Sequence, residues 1–240
     1  MINWPTFRRS HYCQLAPSGL LYDDQMAYFW IDKNSGKLIV PGDAISTAGN
    51  IMASQSLWRI GIAGDLLMHI LDIPLMLTLY LLLKPVNKNL AVMAVLFNLI
   101  QTAVLVVNKL NLLLPLLLLG NAEYLKALEL QQLQALAYIP LRLHDYGLGI
   151  GLIFFGFVCL VQGYLIFKSG FLPKMIGVLM ALAGLSYLTN SITLILTPAY
   201  AEIVVPVLAL ALFGELALSL WLIVKGVNVP KWEKRAAESA

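Results

Sequence analysis

Residues 58–83 read WRIGIAGDLLMHILDIPLMLTLYLLL, and this stretch decides the fold. A helix that crosses the hydrocarbon core needs about 20 predominantly apolar residues, because each adds about 1.5 Å against roughly 30 Å of lipid. The run meets that requirement with Asp65, His69 and Asp72 in its interior. These three stand at i, i+4 and i+7, so they share one face of a helix. The reading is a membrane helix whose polar face turns inward, since a charge facing acyl chains is costly.

Four further stretches qualify on the same grounds: 90–119, 146–167, 173–196 and 203–224. The composition agrees. Of the 240 residues 60% are hydrophobic and 12% charged, and the mean hydropathy is +0.79. A soluble domain is nearer half apolar and one quarter charged, so disorder and a soluble α/β enzyme are excluded. Net charge is only +3, and no basic run interleaved with aromatics could track a phosphate backbone, which excludes nucleic acid as a partner. In lipid the backbone must satisfy its own hydrogen bonds, and uninterrupted apolar runs fit helices rather than alternating barrel strands. The expected fold is an all-α integral membrane helical bundle of five transmembrane helices, with a candidate sixth N-terminal segment and short interfacial helices. The expected organisation is a polar and aromatic segment 1–57, a transmembrane bundle 58–227 and a tail 228–240.

Orientation follows from the cations. Lys84 and Lys88 lie between spans one and two, Lys168 and Lys174 between three and four, and Lys225, Lys231, Lys234 and Arg235 after the fifth. The positive-inside rule makes these turns and the C-terminus cytoplasmic. Five spans then put residues 1–57 outside, although Arg8 and Arg9 suit a cytoplasmic start and no cleavable leader is read behind them. A crossing within 15–40 would resolve this. Asp23, Asp24, Asp32, Lys33 and Lys37 oppose it at on the order of 2.5–3.5 kcal/mol per buried charge, so translocation or an interfacial lie is favoured. Tyr28-Phe29-Trp30 suits the headgroup level.

Two more segments read as surface helices: 44–56, with Asp43 accepting its first N–H groups behind Gly42, and a lid helix over 121–137 capped by Asn121. Asn111 and Pro115 mark an expected bend in span two. Gly147, Gly149, Gly151, Gly156 and Gly163 on span three, and Gly177, Ala181 and Gly184 on span four, mark close helix contacts. No strand precedes the first three, so they make no dinucleotide site. Asn98, Gln101, Asn108 and Asn111 on span two read as interhelical hydrogen-bonding groups. Cys13 and Cys159 make no disulfide framework, and Cys159 sits among Val158, Leu160 and Val161, an apolar setting that quiets a thiol.

Leu38-Ile39-Val40-Pro41-Gly42-Asp43-Ala44, Leu83-Lys84-Pro85-Val86-Asn87, His144-Asp145-Tyr146-Gly147, Ser169-Gly170-Phe171-Leu172-Pro173, and Gly214-Glu215-Leu216 through Leu222-Ile223-Val224-Lys225-Gly226 occur in this order. Together they resemble the bacterial domain-of-unknown-function 4386 family of integral membrane proteins, over roughly residues 39–227. The resemblance implies a helical protein of the bacterial plasma membrane, usually with six spans, and implies no chemistry. The chain departs from that pattern at its start, where Gly19-Leu20-Leu21-Tyr22 runs into Asp23-Asp24 instead of an apolar first span.

Ionisable groups at membrane depth are default candidates for function. Lys109 follows Asn108 in span two, Asn190 lies in span four, Glu215 lies near the middle of span five, and Arg142, His144 and Asp145 lie where span three begins. With Asp65, His69 and Asp72 these predict a polar pocket in the outer half of the bundle. In its structural version, Lys109 neutralises Asp65 or Asp72, and Glu215 is protonated or pairs with Arg142. Functionally the pocket suits a non-catalytic protein that binds a small ligand or protons, or an accessory subunit that meets other membrane subunits or a second copy of itself.

One alternative is a metal-dependent intramembrane enzyme, with Asp65, His69, Asp72, His144 and Asp145 as ligands and Glu215 as general base. No HExxH supports it, and Lys109 would repel the cation. The other is a small transporter whose acids carry protons, against which stand the chain's size and the lack of an inverted repeat. The sequence specifies no cofactor.

Overall fold

The structure, a computed structural model, describes residues 38–239. Among them every regular element is helical: α1 (Ala44–Ala53), α2 (Gln55–Leu83), α3 (Lys88–Asn108), α4 (Leu110–Leu118), α5 (Leu130–Ser169), α6 (Lys174–Leu196), α7 (Ala201–Val204), α8 (Leu208–Val224) and α9 (Val229–Glu238). Short 3-10 turns lie at Glu123–Ala127, Pro198–Tyr200 and Val205–Val207. Five segments are long and apolar enough to cross a membrane: Gln55–Leu83, Lys88–Leu118, Leu130–Ser169, Lys174–Leu196 and Pro198–Val224. The aromatic cluster at 28–30 and the 15–40 segment lie outside the described residues, apart from its last three, which lead into a turn closed by Asp43 N–H on Val40 O at 3.0 Å.

Side chains on α2 are distributed as hydrocarbon requires and water would not. Ile60, Leu67, Ile70, Ile73 and Leu77 are each more than half exposed, whereas Asp65, His69 and Asp72 are 3, 6 and 5% exposed. A soluble helix shows the opposite pattern.

Two sequence expectations change. The interruption in span two falls at Lys109, between α3 and α4, where Lys109 N–H bonds to Val106 O and Leu112 N–H to Lys109 O. Pro115 lies inside α4. Its ring removes the bond to Asn111 O and crowds that carbonyl, and the chain breaks just N-terminal to it, in a tighter turn. The lid helix expected over 121–137 is also absent as a separate element: Glu123–Ala127 is a 3-10 turn, and α5 starts at Leu130 and runs through Pro140 into span three. Asn121 caps nothing; the Gln132 side chain accepts from Glu129 N–H ahead of α5.

The described residues form two compact units, a larger one of residues 70–102 and 149–239 and a smaller one of residues 38–69 and 103–148. In the smaller unit Asp43 caps α1, its carboxylate accepting from Ser46 N–H at 2.9 Å and Ser46 Oγ at 2.6 Å. Gly42, at φ 79°, supplies the left-handed turn before the cap, and its N–H bonds to the Tyr138 hydroxyl on α5 at 2.8 Å. Leu38, Ile51, Trp58, Ile62, Leu112, Leu116 and Leu141 form the core there, and Trp58 Nε1 donates to Leu112 O where the helix interruption has altered the local pattern.

The larger unit packs α5, α6 and α8 closely through their glycines. A Cβ on Gly163 would lie 2.7 Å from Gly177 O, and one on Gly214 would lie 2.7 Å from Leu179 O. At one end of this unit the lysine-bearing turns are tied together. Asn87 Oδ1 caps α3 at Leu90 N–H, Ser169 Oγ accepts from Leu172 N–H, and Asn228 Oδ1 caps α9 at Lys231 N–H. Asn228 N–H reaches Phe171 O, and Trp232 Nε1 on α9 donates to Leu82 O. Several of the motifs that carry the family resemblance are thus helix caps and turns.

Candidate functional site

The structure places the sequence-predicted polar residues in two groups, one in each unit. In the smaller unit Lys109 Nζ lies 3.1 Å from Asp65 Oδ2, and both side chains are 5% exposed. Lys109 reaches the acid from the junction of α3 and α4. Asn108 Nδ2 donates to the His144 carbonyl at 2.9 Å and receives from Asn111 Nδ2 on its Oδ1 at 2.9 Å. Gly147 is required on α5 because any Cβ there would overlap the Asn108 carboxamide. His69 and His144 are both buried. Arg142 does not enter the interior: its guanidinium is largely exposed and pairs with Asp145, one turn along α5, at 3.3 Å.

This group is internally compensated. A buried carboxylate faces a buried ammonium, and breaking such a pair strands one charge at low dielectric. Among the described residues no three of the His, Cys, Asp and Glu side chains converge as metal ligands do. Among the described residues Asp65, His69, Asp72, His144 and Asp145 form no such cluster.

The larger unit holds a different arrangement. Asp72 Oδ2 accepts from Asn98 Nδ2 at 2.6 Å and from Thr102 Oγ1 at 2.9 Å. Asn98 and Thr102 are four residues apart on α3, so one helical face presents both donors. Glu215 Oε1 on α8 accepts from the Tyr187 hydroxyl on α6 at 2.6 Å, a length typical of O–H on a carboxylate. The Tyr187 ring stands edge-on to Phe155 with centroids 5.3 Å apart.

Between these groups is a cavity of about 60 Å³ lined by Asp72, Leu75, Met76, Leu79, Asn98, Phe155, Gln162, Met180, Glu215, Leu218, Ser219 and Leu222. All five spans contribute to it, and the described residues of its lining include two acids and no Lys, Arg or His. About 10–15 Å³ admits one water, so the space suits a few waters or a solute of a few heavy atoms. From Asp72 the lining continues to Leu79 and Leu222, towards the lysine-bearing turns. Asn190 is half-buried on α6 and is not among the lining residues.

Sequence reasoning named Asp72 and Glu215 and read Asn98 as an interhelical hydrogen-bonding group. It missed Thr102, Gln162, Tyr187 and Ser219. Neutral polar groups were weighed less than charged ones there; Gln162, the single carboxamide between residues 148 and 167, was the available signal.

A family model described as Domain of unknown function (DUF4386) matches residues 25–226. A protein of Archaeoglobus fulgidus described as uncharacterized is 30% identical over 165 residues, covering 69% of this chain and 83% of that protein. No solved structure matches. With most of its length matched by the family model, this chain belongs to the DUF4386 family.

Proposed function

We propose that the protein is a non-catalytic membrane protein that binds a small solute or protons in the cavity bounded by Asp72 and Glu215. The observation that carries this reading is a cavity lined by two carboxylates from different spans together with the polar side chains of Asn98, Gln162 and Ser219. Buried charge at low dielectric demands compensation. A carboxylate that borders a cavity is open to such compensation by an occupant or by bound protons.

The depth suits such a role. Asp72 lies 11 residues before the end of α2 and Glu215 nine before the end of α8, or about 16 and 13 Å at about 1.5 Å per residue. That is near the midplane of a hydrocarbon core about 30 Å thick. With the lysine-bearing turns and the C-terminus on the cytoplasmic side, the apolar end of the cavity points towards the cytoplasm.

Thermal unfolding of the detergent-purified full chain tests the reading, using potassium chloride, sodium acetate, glycerol and propylammonium chloride across a pH series. At saturation by about 100 Kd an occupant stabilises by about 2.7 kcal/mol. The reading expects at least one solute, or proton uptake, to shift the midpoint in a way that Asp72→Asn with Glu215→Gln abolishes. A midpoint equally responsive in wild type and double variant under every condition would overturn it, leaving the acids as helix-positioning groups.

A further inference from the structure

Independently of the cavity, we infer that the lysine-bearing end of the larger unit is a docking surface for anionic phospholipid headgroups, organised by the C-terminal helix α9. Positive charge is concentrated there. Lys84 and Lys88 flank the turn from α2 to α3, Lys168 and Lys174 flank the turn from α5 to α6, and Lys225 closes α8, all of them exposed. On α9, Lys231, Lys234 and Arg235 are exposed as well. Standing at i, i+3 and i+4, they share one flank of the helix. The acids on α9 are Glu233, which the helical period puts on the opposite side, and Glu238, 3.9 Å from Arg235. Both members of that pair are exposed, so it offsets little of the charge.

The cations are gathered by contacts within this unit. Asn228 N–H bonds to Phe171 O in the α5–α6 turn at 3.1 Å, and Trp232 Nε1, one turn further on, donates to Leu82 O near the end of α2 at 3.0 Å. α9 therefore lies across two of the turns instead of extending away from them. Trp232 and Ala236, at i and i+4, are its half-buried positions, and Trp232 packs on the core of the unit. Lys174 Nζ stands 5.5 Å from the centre of the Phe167 ring.

The surroundings favour a lipid over a soluble acidic partner. These turns end segments long and apolar enough to cross a membrane, so the cations stand where a bilayer carries its headgroups. Met175 beside Lys174 and Val224 beside Lys225 are 68 and 71% exposed. An acyl chain covers such apolar surface while its headgroup meets the neighbouring cation; an acidic peptide leaves it wet. Trp221, whose Nε1 donates to Gly226 O at 3.0 Å, adds a second indole at this end, and tryptophan is enriched at the membrane–water boundary. Basic clusters beside a membrane helix or on an amphipathic helix attract anionic headgroups, and each lysine can donate charge-assisted hydrogen bonds to phosphate oxygens.

Native mass spectrometry of the delipidated full chain tests this assignment. Dioleoyl phosphatidylglycerol and dioleoyl phosphatidylcholine are offered at equal concentration, with glycerol phosphate and oligoglutamate as soluble probes. The two lipids share their acyl chains and differ only in headgroup. Phosphatidylglycerol should be retained at least about fivefold over phosphatidylcholine, the gain expected from roughly one Lys or Arg at a charged membrane surface. Lys231→Gln, Lys234→Gln and Arg235→Gln combined should lower that ratio at least about threefold while the variant stays folded by circular dichroism. Arg59→Gln, Lys126→Gln and Arg142→Gln combined, which remove the same charge from exposed positions of the smaller unit, should leave the ratio unchanged. Equal retention of the two lipids by wild type overturns the assignment and needs no variant to decide. An equal fall in both triple variants overturns it too, because net charge rather than this surface would then be responsible. Displacement of phosphatidylglycerol by an equal concentration of glycerol phosphate overturns the lipid as occupant, and tighter binding of oligoglutamate replaces it with an acidic protein partner.

Discussion

The smaller unit sets a buried carboxylate against a buried ammonium, whereas the larger unit sets two carboxylates beside a cavity. Asp65 has Lys109 at 3.1 Å, both side chains almost fully enclosed. Asp72 accepts from Asn98 and Thr102 and Glu215 accepts from Tyr187, and both acids line a cavity. The same residue type at membrane depth thus serves two ends. A carboxylate matched by an ammonium is a device for positioning helices, and one that borders a cavity is suited to recognition.

The largest effect that would sharpen this contrast belongs to the ion pair. Lys109→Met should cost about 3–5 kcal/mol, the usual result of stranding one member of a buried pair, and Asp65→Leu combined with Lys109→Met should recover most of that loss. Reversible unfolding in mixed detergent micelles measures both. A double variant as unstable as the single one would give Asp65 or Lys109 a role beyond mutual compensation and erase the distinction between the units.

Next in size is the packing that holds the cavity walls. Gly163→Ala puts a Cβ 2.7 Å from Gly177 O and 2.8 Å from Ala181 N, backbone atoms that cannot swing away. The expected loss is about 1–3 kcal/mol, read by the same unfolding assay. Tyr187→Phe removes the 2.6 Å bond to Glu215 and should cost about 1.5 kcal/mol, in the range for hydrogen bonds to charged groups.

Asp72→Asn should change stability by less than about 1 kcal/mol, because the amide keeps an oxygen for Asn98 and Thr102. A loss as large as that of Lys109→Met would make Asp72 structural too. The smallest effect lies outside the spans. Ser46 holds the Asp43 carboxyl below its ordinary 3.8 through its hydroxyl and backbone N–H. Because the folded value is depressed, the cap's contribution is complete above the unfolded carboxylate range near about 4 and fades as pH falls through the folded value. Amide exchange at Ser46 and Thr47 should accelerate in that acid window and stay flat from pH 5 to 8.

Much of this architecture is legible in the sequence. The span over 58–83 survives in α2 because length, hydropathy and the i, i+4, i+7 spacing of Asp65, His69 and Asp72 are local properties. The caps at Asp43 and the Pro173 start of α6 follow from turn chemistry one or two residues away. Local reading failed where distant parts set the outcome. The 121–137 segment has the leucine spacing of a separate helix, yet its second half continues into α5. The interruption in span two sits at Lys109 rather than at Asn111 or Pro115, since the proline's effect is felt on the turn before it.

The amino-acid order alone determined that the protein is a membrane helical bundle and that its acids face inward, because the rise per residue and the cost of charge in hydrocarbon leave no other arrangement. Which acid receives the lysine was decided only in three dimensions. Asp65 and Asp72 share one helical face and have equal claims by spacing. A 3.1 Å contact depends on the rotation and register of α2 against the α3–α4 junction, and electrostatic and hydrogen-bond energies change over distances far shorter than one helical turn.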